Sequence, residues 1–294
     1  MGLTSTASVS SASGSVHRAD GPVVRQLGAG PSLYAYVTRP AEPRAVVGLL
    51  HGFADYGGRY RHVADAWAEQ GIATVAIDMR GHGRAEGRRG YCDRFQEYIE
   101  DAAELAALLR RQAPGLAPFL FGHSFGGLVA ASSVIQSKGA WRGLALTSPN
   151  MAIAVKVPLL KKWAGQAASK LLPGFGLPAG LGGRDLTHDA AIARAYDSDP
   201  LVFKNARARW FTEMIAAQER AMADAQRVTI PLYIVGGTAD RVTDFGAERA
   251  FFDAAGSTDK TFDVREGLFH EVLNEPEWPD IARRMADWML AHAS

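Results

Sequence analysis

The sequence predicts an α/β protein with a mostly parallel central sheet flanked by helices. Strand-like and helix-like segments alternate along the chain between Gly21 and Pro149. The strand-like segments are continuous apolar runs, which is typical of strands buried on both faces. The alternation stops over residues 150–227, where no convincing buried strand is found, and it resumes over residues 228–294. We therefore expect one core, formed by residues 21–149 and 228–294, with an inserted helical cap.

The chain ends and the composition limit the class of protein. Residues 1–20 are rich in Ser, Ala, Thr and Gly and lack the apolar stretch of a signal peptide, so we expect a disordered tail. The net charge of +1 gives no electrostatic case for binding nucleic acid. Cys92 is the only cysteine, which excludes an intrachain disulfide and a cysteine-based metal site. No apolar run approaches the ~20 residues that cross a bilayer, so we expect a cytoplasmic protein that contacts membranes peripherally at most.

The first core segment contains five apolar runs with the length of strands. They are residues 33–37, 45–50, 72–77, 119–123 and 143–147. Helical spacing of apolar residues predicts the helices that connect them. The predicted helices are residues 60–70, a helix from an N-cap at Asp93 to Pro114, and a helix from Ser124 to about residue 136.

The cap and the second core segment have different patterns. Prolines divide the cap into short amphipathic pieces such as residues 204–222. Apolar runs at residues 231–235 and 261–264 predict two late strands, and the last helix places Ile281 and Met285 on one face. Since no linker separates the two patterns, we expect the cap to fold onto the core.

Residues 119–127, with the sequence FLFGHSFGG, are the most informative stretch of the chain. A short apolar strand leads into Ser124, which lies between Gly122 and Gly126, and a predicted helix follows. This is the pattern of a nucleophile elbow. A serine hydroxyl is a weak nucleophile, so it must be presented on a sharp turn where a base can take its proton. The pentapeptide alone also fits an ordinary helix N-terminus with small residues, so its context must decide.

Two later residues complete a catalytic triad with Ser124. After a nucleophile elbow, the acid is expected behind a late strand and the histidine behind the last one, and Asp240 and His270 occupy these positions. A neutral His270 would take the Ser124 proton, while Asp240 would hold the histidine tautomer and stabilise the imidazolium. Taken singly, Asp240 fits a turn cap and His270 a loop histidine. Asp244 and Asp78 are weaker alternatives for the acid.

The oxyanion of an ester intermediate needs two hydrogen-bond donors. We expect the backbone N–H of Phe125, the residue after the nucleophile, and that of Phe53, in the turn after an early strand. His51 is expected to fix this turn through a hydrogen bond, and His82 to be a structural loop residue.

Six blocks spread over most of the chain carry a family resemblance. They are residues 51–60, 78–84, 122–127, 196–201, 237–241 and 267–270. Together they resemble monoacylglycerol lipases and their lysophospholipase-type relatives. The resemblance implies an α/β-hydrolase fold with a helical cap, hydrolysis of a single-chain lipid ester such as a monoacylglycerol, and no cofactor or metal. Phe125 stands where methionine is usual and Ala85 where serine is usual, and the larger Phe125 side chain would narrow the acyl pocket.

The resemblance also implies how a glycerol head group is bound. Asp55, Arg59 and Tyr196 match positions that would pair the two free hydroxyls, and His123 is included among the substrate-binding residues. Asp55 is one methylene shorter than the glutamate common in relatives, so its hydrogen bond would pass through a water. The alternatives are a surface ion pair between Asp55 and Arg59, and a Tyr196 that only packs the cap.

Residues 151–175 of the cap combine apolar side chains with four lysines. A basic amphipathic segment of this kind is predicted to line an acyl tunnel and to contact a membrane surface. Packing of the same apolar side chains onto the core, with the lysines in solvent, is an equally good reading.

Several functions share the predicted triad. A lysophospholipase or a broad carboxylesterase would differ only in the head-group pocket. A non-catalytic ligand-binding protein of the same fold is an alternative from another class, which the complete triad disfavours. Epoxide hydrolases and haloalkane dehalogenases need a carboxylate in place of Ser124, so the sequence argues against them. The oligomeric state is left open.

Overall fold

The structure, a computed structural model, describes residues 6–11, 14–23, 25, 27, 30–137, 139–154 and 166–293. A nine-stranded sheet has the strand order β1-β2-β3-β5-β4-β6-β7-β10-β11. Its strands are β1 (Thr6–Ser11), β2 (Gly14–Val23), β3 (Leu33–Pro40), β4 (Ala45–Leu50), β5 (Ile72–Asp78), β6 (Phe119–His123), β7 (Leu144–Thr147), β10 (Leu232–Gly237) and β11 (Lys260–Arg265). A separate pair, β8 (Gly176–Pro178) and β9 (Asn205–Arg207), lies in the cap.

The strands from β5 to β11 in this order run parallel to one another, whereas β1, β2 and β3 are added at the edge in antiparallel pairs. Every residue of β4, β5 and β6 is buried. A parallel sheet covered on both faces requires such continuous apolar strands. The predicted fold class, with its mostly parallel central sheet, is confirmed.

Helices cover both faces of the sheet. They are α1 (Arg61–Glu69), α2 (Gln96–Gln112), α3 (Phe125–Gln136), α7 (Phe245–Ala254) and α8 (Trp278–Ala291), whereas α4 (Gly183–Leu186), α5 (Ala190–Ser198) and α6 (Ala208–Ala223) belong to the cap. Alternate residues of β4 belong to two different apolar layers: Val46 and Leu50 join the buried faces of α2 and α3, and Val47 and Leu49 join those of α1 and α8. Each such buried side chain contributes about 1.5–3 kcal/mol, so the two layers hold the strand ends that carry the site.

The described residues 6–11 and 14–20 lie in strands, whereas a disordered tail was expected over residues 1–20. β1 pairs with β2, and β2 pairs along its length with β3. Val16 and Val23 are buried. A Ser-rich and Gly-rich segment lacks the apolar alternation that marks a strand in a sequence. The exposed edge of β3, however, offers unpaired backbone groups, and the tail satisfies them.

Two further details depart from the sequence-based expectation. α2 begins at Gln96, and the Asp93 carboxylate accepts a hydrogen bond from the Tyr91 hydroxyl at 2.6 Å instead of capping the helix. The cap contains the antiparallel pair of β8 and β9 besides its helices. Strands of three residues are too short to show a period in the sequence.

No helix in the described part of the chain has both the length and the apolar character needed to cross a membrane.

Candidate active site

Ser124 lies on the turn between β6 and α3 with φ 52° and ψ −118°. A non-glycine residue with positive φ is strained by about 1–3 kcal/mol and persists only when its surroundings hold it. Here the Ser124 N–H donates to the carbonyl of Thr147 at 3.0 Å, and the Ser124 carbonyl accepts from the N–H of Asn150 at 3.0 Å. These backbone bonds to the end of β7 fix the sharp turn that the sequence predicted.

Glycines allow the turn to lie against its neighbours. A Cβ atom on Gly126 would overlap the carbonyl oxygens of Leu50 and His51, and one on Gly122 would overlap the Gly126 carbonyl oxygen. The first turn of α3 therefore touches the loop that follows β4. This contact brings the two predicted oxyanion donors into one neighbourhood.

The backbone N–H groups of Phe53 and Phe125 are available for an oxyanion. As the first residue of α3, Phe125 has no intrahelical acceptor for its N–H. The Phe53 N–H makes no hydrogen bond with any described residue. The His51 ring fixes the Phe53 turn, because Nε2 accepts from the N–H of Met79 at 3.1 Å while Nδ1 donates to the carbonyl of Gly52 at 2.7 Å. Burial lowers the pKa of His51 to about 4, so this ring stays neutral.

His270 and Asp240 form a buried pair in which Nδ1 lies 2.7 Å from Oδ2. Burial favours the neutral imidazole, but the Asp240 charge and its hydrogen bond outweigh burial and raise the pKa of His270 above its ordinary value. Burial likewise opposes ionisation of Asp240. The His270 charge and the hydrogen bonds to the carboxylate nevertheless lower the pKa of Asp240 to about 2. The carboxylate thus orients the ring with Nδ1 protonated and Nε2 free to accept a proton.

Three further donors hold the Asp240 carboxylate. Oδ1 accepts from the N–H groups of Val242 at 2.7 Å and Thr243 at 3.0 Å, and Oδ2 accepts from the Thr243 hydroxyl at 2.7 Å. The alternative acids have other partners: Asp244 caps α7, and Asp78 accepts from two backbone N–H groups of neighbouring loops. The structure therefore brings together the histidine and the acid that the sequence favoured.

Asp55 and Arg59 lie in a buried ionic network. Arg59 makes two hydrogen bonds of 2.7 Å to Glu271, one from each terminal nitrogen, and a third of 3.0 Å to Asp55. The other Asp55 oxygen accepts from the Tyr60 hydroxyl at 2.9 Å. The alternative of an ion pair between Asp55 and Arg59 is therefore confirmed as a contact, but the pair is buried and not at the surface, since Asp55 is only 2% exposed. These contacts are all with protein groups, so a head-group role for Asp55 and Arg59 stays a prediction.

Glu271, which the sequence analysis did not single out, is ionised in this network. Burial opposes its charge, but the facing Arg59 guanidinium lowers the pKa of Glu271 to about 2. The one available signal was its position directly after His270. A glutamate in a loop normally lies in solvent, so the sequence pattern did not identify it.

His123 and Tyr196 border the same region. The His123 ring lies 4.8 Å from that of His270, and its Nδ1 contacts the Thr147 hydroxyl at 3.0 Å. Burial, and then the charge of His270, lower the pKa of His123 to about 4. Tyr196 is 3% exposed, and the Arg59 guanidinium lies 4.9 Å from its ring centre. The Tyr196 hydroxyl has no hydrogen-bond partner among the described residues.

An aromatic cluster packs beside the oxyanion turn. The rings of Phe53 and Trp210 stack with centres 3.8 Å apart, Phe203 contacts Phe53 at 5.1 Å, and Phe125 contacts Trp210 at 5.0 Å. This cluster packs the cap against the elbow through aromatic contacts. In the described part of the chain, no group of three or more His, Cys, Asp or Glu side chains is arranged to hold a metal ion.

The chain is similar to several known hydrolases. The family model described as serine aminopeptidase, S33, matches residues 41–277. A monoacylglycerol lipase of Mycolicibacterium smegmatis is 30% identical over 261 residues, which cover 88% of this chain and 93% of the relative. Phospholipase YtpA of Bacillus subtilis is 30% identical over 241 residues, which cover 81% of this chain and 92% of the relative. The solved structure of a Paleococcus ferrophilus monoacylglycerol lipase has a TM-score of 0.81 and 28% identity, over 88% of this chain and 99% of that one.

Proposed function

Because the chain belongs to the serine aminopeptidase S33 family, whose α/β-hydrolase fold it shares, we propose that it hydrolyses the ester bond of a monoacylglycerol to a fatty acid and glycerol. The predicted resemblance to monoacylglycerol lipases is confirmed by relatives that match along most of their length. The proposed reaction uses side chains and water and passes through an acyl-enzyme on Ser124.

In the first half of the reaction, His270 Nε2 would take the Ser124 proton as the hydroxyl oxygen attacks the ester carbonyl. The carbonyl oxygen would gain negative charge between the N–H groups of Phe53 and Phe125. One such donor typically supplies about 3 kcal/mol of transition-state stabilisation. The imidazolium, stabilised by Asp240, would then give its proton to the departing glycerol oxygen and leave the acyl group on the serine.

In the second half, water would replace glycerol. Neutral His270 would take a proton from this water as it attacks the acyl carbonyl, and the same two N–H groups would stabilise the second oxyanion. Return of the proton to Ser124 would release the fatty acid. The observation that carries the proposal is the buried His270–Asp240 pair, with Nδ1 2.7 Å from Oδ2, at strand ends beside the serine turn.

A fluorophosphonate probe tests the nucleophile directly. We expect stoichiometric labelling of the wild type, with no labelling of Ser124→Ala. Monoacylglycerol hydrolysis by Ser124→Ala should fall by several powers of ten, because triad members act as a unit. Ser132→Ala, which changes a serine of the helix α3 that follows Ser124, is the matched control. Near-normal turnover by Ser124→Ala would overturn the proposal.

Tyr196 is the best-supported head-group residue, because the residue is only 3% exposed and its hydroxyl has no hydrogen-bond partner among the described residues. Pairing a glycerol hydroxyl would satisfy both groups, and losing such a pair costs about 1–3 kcal/mol. Tyr196→Phe should therefore lower kcat/KM for a monoacylglycerol roughly 5- to 100-fold and leave the methyl ester of the same fatty acid nearly unchanged. Tyr233→Phe is the control, because the Tyr233 hydroxyl already donates a hydrogen bond to Asp263. Equal losses on both substrates would favour a lysophospholipase or a general esterase. The similarity to phospholipase YtpA supports the same alternative.

The cap surface supports peripheral contact with a membrane. Leu171, Leu172 and Phe175 are 79%, 62% and 52% exposed. Arg88 and Arg207 both donate to a backbone carbonyl of this segment at 3.1 Å, so cations border the apolar side chains. Residues 155–165, which carry much of the predicted amphipathic pattern, lie outside the described residues. We expect binding to anionic vesicles that Leu171→Ser weakens, and no sedimentation of wild-type protein with such vesicles would contradict the contact.

A further inference from the structure

Glu248 is a fully buried carboxyl group beside the acid of the triad. It lies on α7 and is 0% exposed. No described residue forms an ion pair with it, and its Oε2 atom has no hydrogen-bond partner in the described part of the chain. Gly236 of β10 leaves room for this oxygen, because a Cβ atom there would lie 2.5 Å from it. Burying an ionised carboxylate without a cation or hydrogen-bond donors would cost a large amount of folding free energy. The contacts of the other Glu248 oxygen therefore show how the group is accommodated.

That other oxygen, Oε1, lies 3.0 Å from the Thr243 hydroxyl, which itself lies 2.7 Å from Asp240 Oδ2. A threonine hydroxyl has one proton to donate and two lone pairs that accept. Asp240 is ionised and holds the His270 ring, so it can only accept, and the Thr243 proton must point to it. The contact between Thr243 and Glu248 is then a hydrogen bond only if Glu248 is the donor.

We propose that Glu248 is a positioning residue of the triad: as a neutral carboxylic acid it donates to the Thr243 hydroxyl, which commits the single Thr243 proton to Asp240. The result is a one-directional chain of hydrogen bonds from Glu248 through Thr243 to Asp240, which in turn accepts from His270. Chains of this kind strengthen each bond in them and fix the orientation of the last acceptor. The inference rests on the proposed triad, since it explains how its acid is held.

The surroundings of Glu248 agree with a neutral side chain. Burial, and then the negative charge of Asp240, raise the pKa of Glu248 well above its ordinary value, and Asp244 acts in the same direction. The backbone at Thr243 is held by the segment that contains Ala152 and Ile153: Asp244 N–H donates to the carbonyl of Ala152 at 2.9 Å, and an antiparallel bridge joins Thr243 to Ile153. These contacts fix the backbone from which the Thr243 hydroxyl reaches both carboxyl groups.

Infrared spectroscopy tests the charge state without any reference to activity. The carbonyl band of a neutral carboxylic acid should be present in the wild type at neutral pH, and its loss from Glu248→Gln should appear as a negative band in the variant-minus-wild-type difference spectrum. Asp253→Asn, a carboxyl-to-amide change at a 58% exposed position of the same helix, should leave that band unchanged. Absence of the band from the wild type would overturn the neutral state even if the enzyme proves to hydrolyse another ester.

Kinetics test the positioning role. With p-nitrophenyl butyrate, Glu248→Leu and Thr243→Val should each lower kcat roughly 10-fold with little change in KM, because the triad acid is less well held. The double variant should be no worse than the poorer single variant, since both changes break one chain. Glu248→Gln and Thr243→Ser should restore most of the activity, because an amide N–H and a serine O–H can take the same places. Rates are normalised to fluorophosphonate-reactive protein, so a folding defect does not count as a catalytic one.

The dependence of kcat/KM on pH supplies the deciding result. His270 is faced by Asp240, Glu271, Asp55 and His123, and the first three hold its pKa up. If Glu248 is neutral, Glu248→Gln changes no charge and the acid limb stays where it is. A downward shift of that limb, or additive losses in the double variant, would overturn the proposal. Complete inactivity of the wild type on every ester would instead overturn the proposed function and leave the infrared result standing.

Discussion

Glu271 and Glu248 are both buried close to the Asp240–His270 pair, at 4% and 0% exposure, yet their pKa values are shifted in opposite directions. Glu271 receives both terminal nitrogens of Arg59, and its pKa is held near 2. Among the described residues, the Glu248 carboxyl group makes a polar contact only with the Thr243 hydroxyl, and burial raises its pKa. Burial alone therefore does not decide whether a glutamate is ionised.

The partner decides the charge, and the charge decides what each residue can do. An ionised carboxylate with a bidentate guanidinium ties distant segments together, here the turn after β4 and the loop that bears His270. A neutral carboxyl group can donate a hydrogen bond, which an ionised one cannot. The two glutamates thus support the same histidine in different ways: one fixes its loop, and the other directs the proton that holds its acid.

The largest effect should come from removing the cation. Arg59→Met leaves Glu271 and Asp55 buried and unpaired, which should lower the free energy of unfolding by about 3–5 kcal/mol. Arg249→Met, which breaks an exposed pair with Asp253, is the matched control and should cost no more than about 1 kcal/mol. Urea unfolding at pH 7 measures the loss of stability in both variants. Equal losses would mean that the buried Arg59 network contributes no more to stability than the exposed Arg249–Asp253 pair.

Glu271→Gln should have the next largest effect on stability. The variant keeps the shape of the side chain but loses a charge-assisted pair of hydrogen bonds, which should cost about 1.5–3 kcal/mol at pH 7. The pKa of Glu271 is lower in the folded state than its ordinary 4.5, so its contribution is complete above pH 4.5 and is lost as the pH falls towards 2. The gap between variant and wild type should close over that window. A gap that is constant with pH would contradict an ionised Glu271.

Glu248→Gln should show the opposite dependence on pH and a smaller effect. The pKa of Glu248 is raised in the folded state, so the wild type is favoured below pH 4.5 and loses stability as the pH rises above it. The amide does not titrate. Between pH 4 and pH 5.5 the free energy of unfolding of the variant should therefore rise by about 1 kcal/mol relative to that of the wild type, because one proton corresponds to about 1.4 kcal/mol per pH unit. Urea unfolding at several pH values would show it, and parallel curves would mean that Glu248 ionises normally.

The sequence predicted the sheet, the elbow turn at Ser124 and the pairing of Asp240 with His270, because each depends on local pattern and chain order. Continuous apolar runs identified β4, β5 and β6, and their order placed Ser124, Asp240 and His270 at neighbouring strand ends. The two supporting glutamates were missed, since nothing in the sequence distinguishes a buried glutamate from an exposed one. Glu248 belongs to a helix whose other charged residues, such as Arg249, lie in solvent, and only tertiary packing decides which one is buried.

The smallest expected effect concerns the pH dependence of catalysis. His270 must be neutral to take the Ser124 proton, so kcat/KM should fall as the pH drops through a pKa above 6.5. The negative charge of Glu271 helps to stabilise the imidazolium, so Glu271→Gln should move this acid limb to lower pH. Glu248→Gln should leave it in place, because no charge is removed. Profiles of p-nitrophenyl butyrate hydrolysis between pH 5 and pH 9 separate the two variants. The same shift in both would mean that the two glutamates carry the same charge, and the contrast between them would fail.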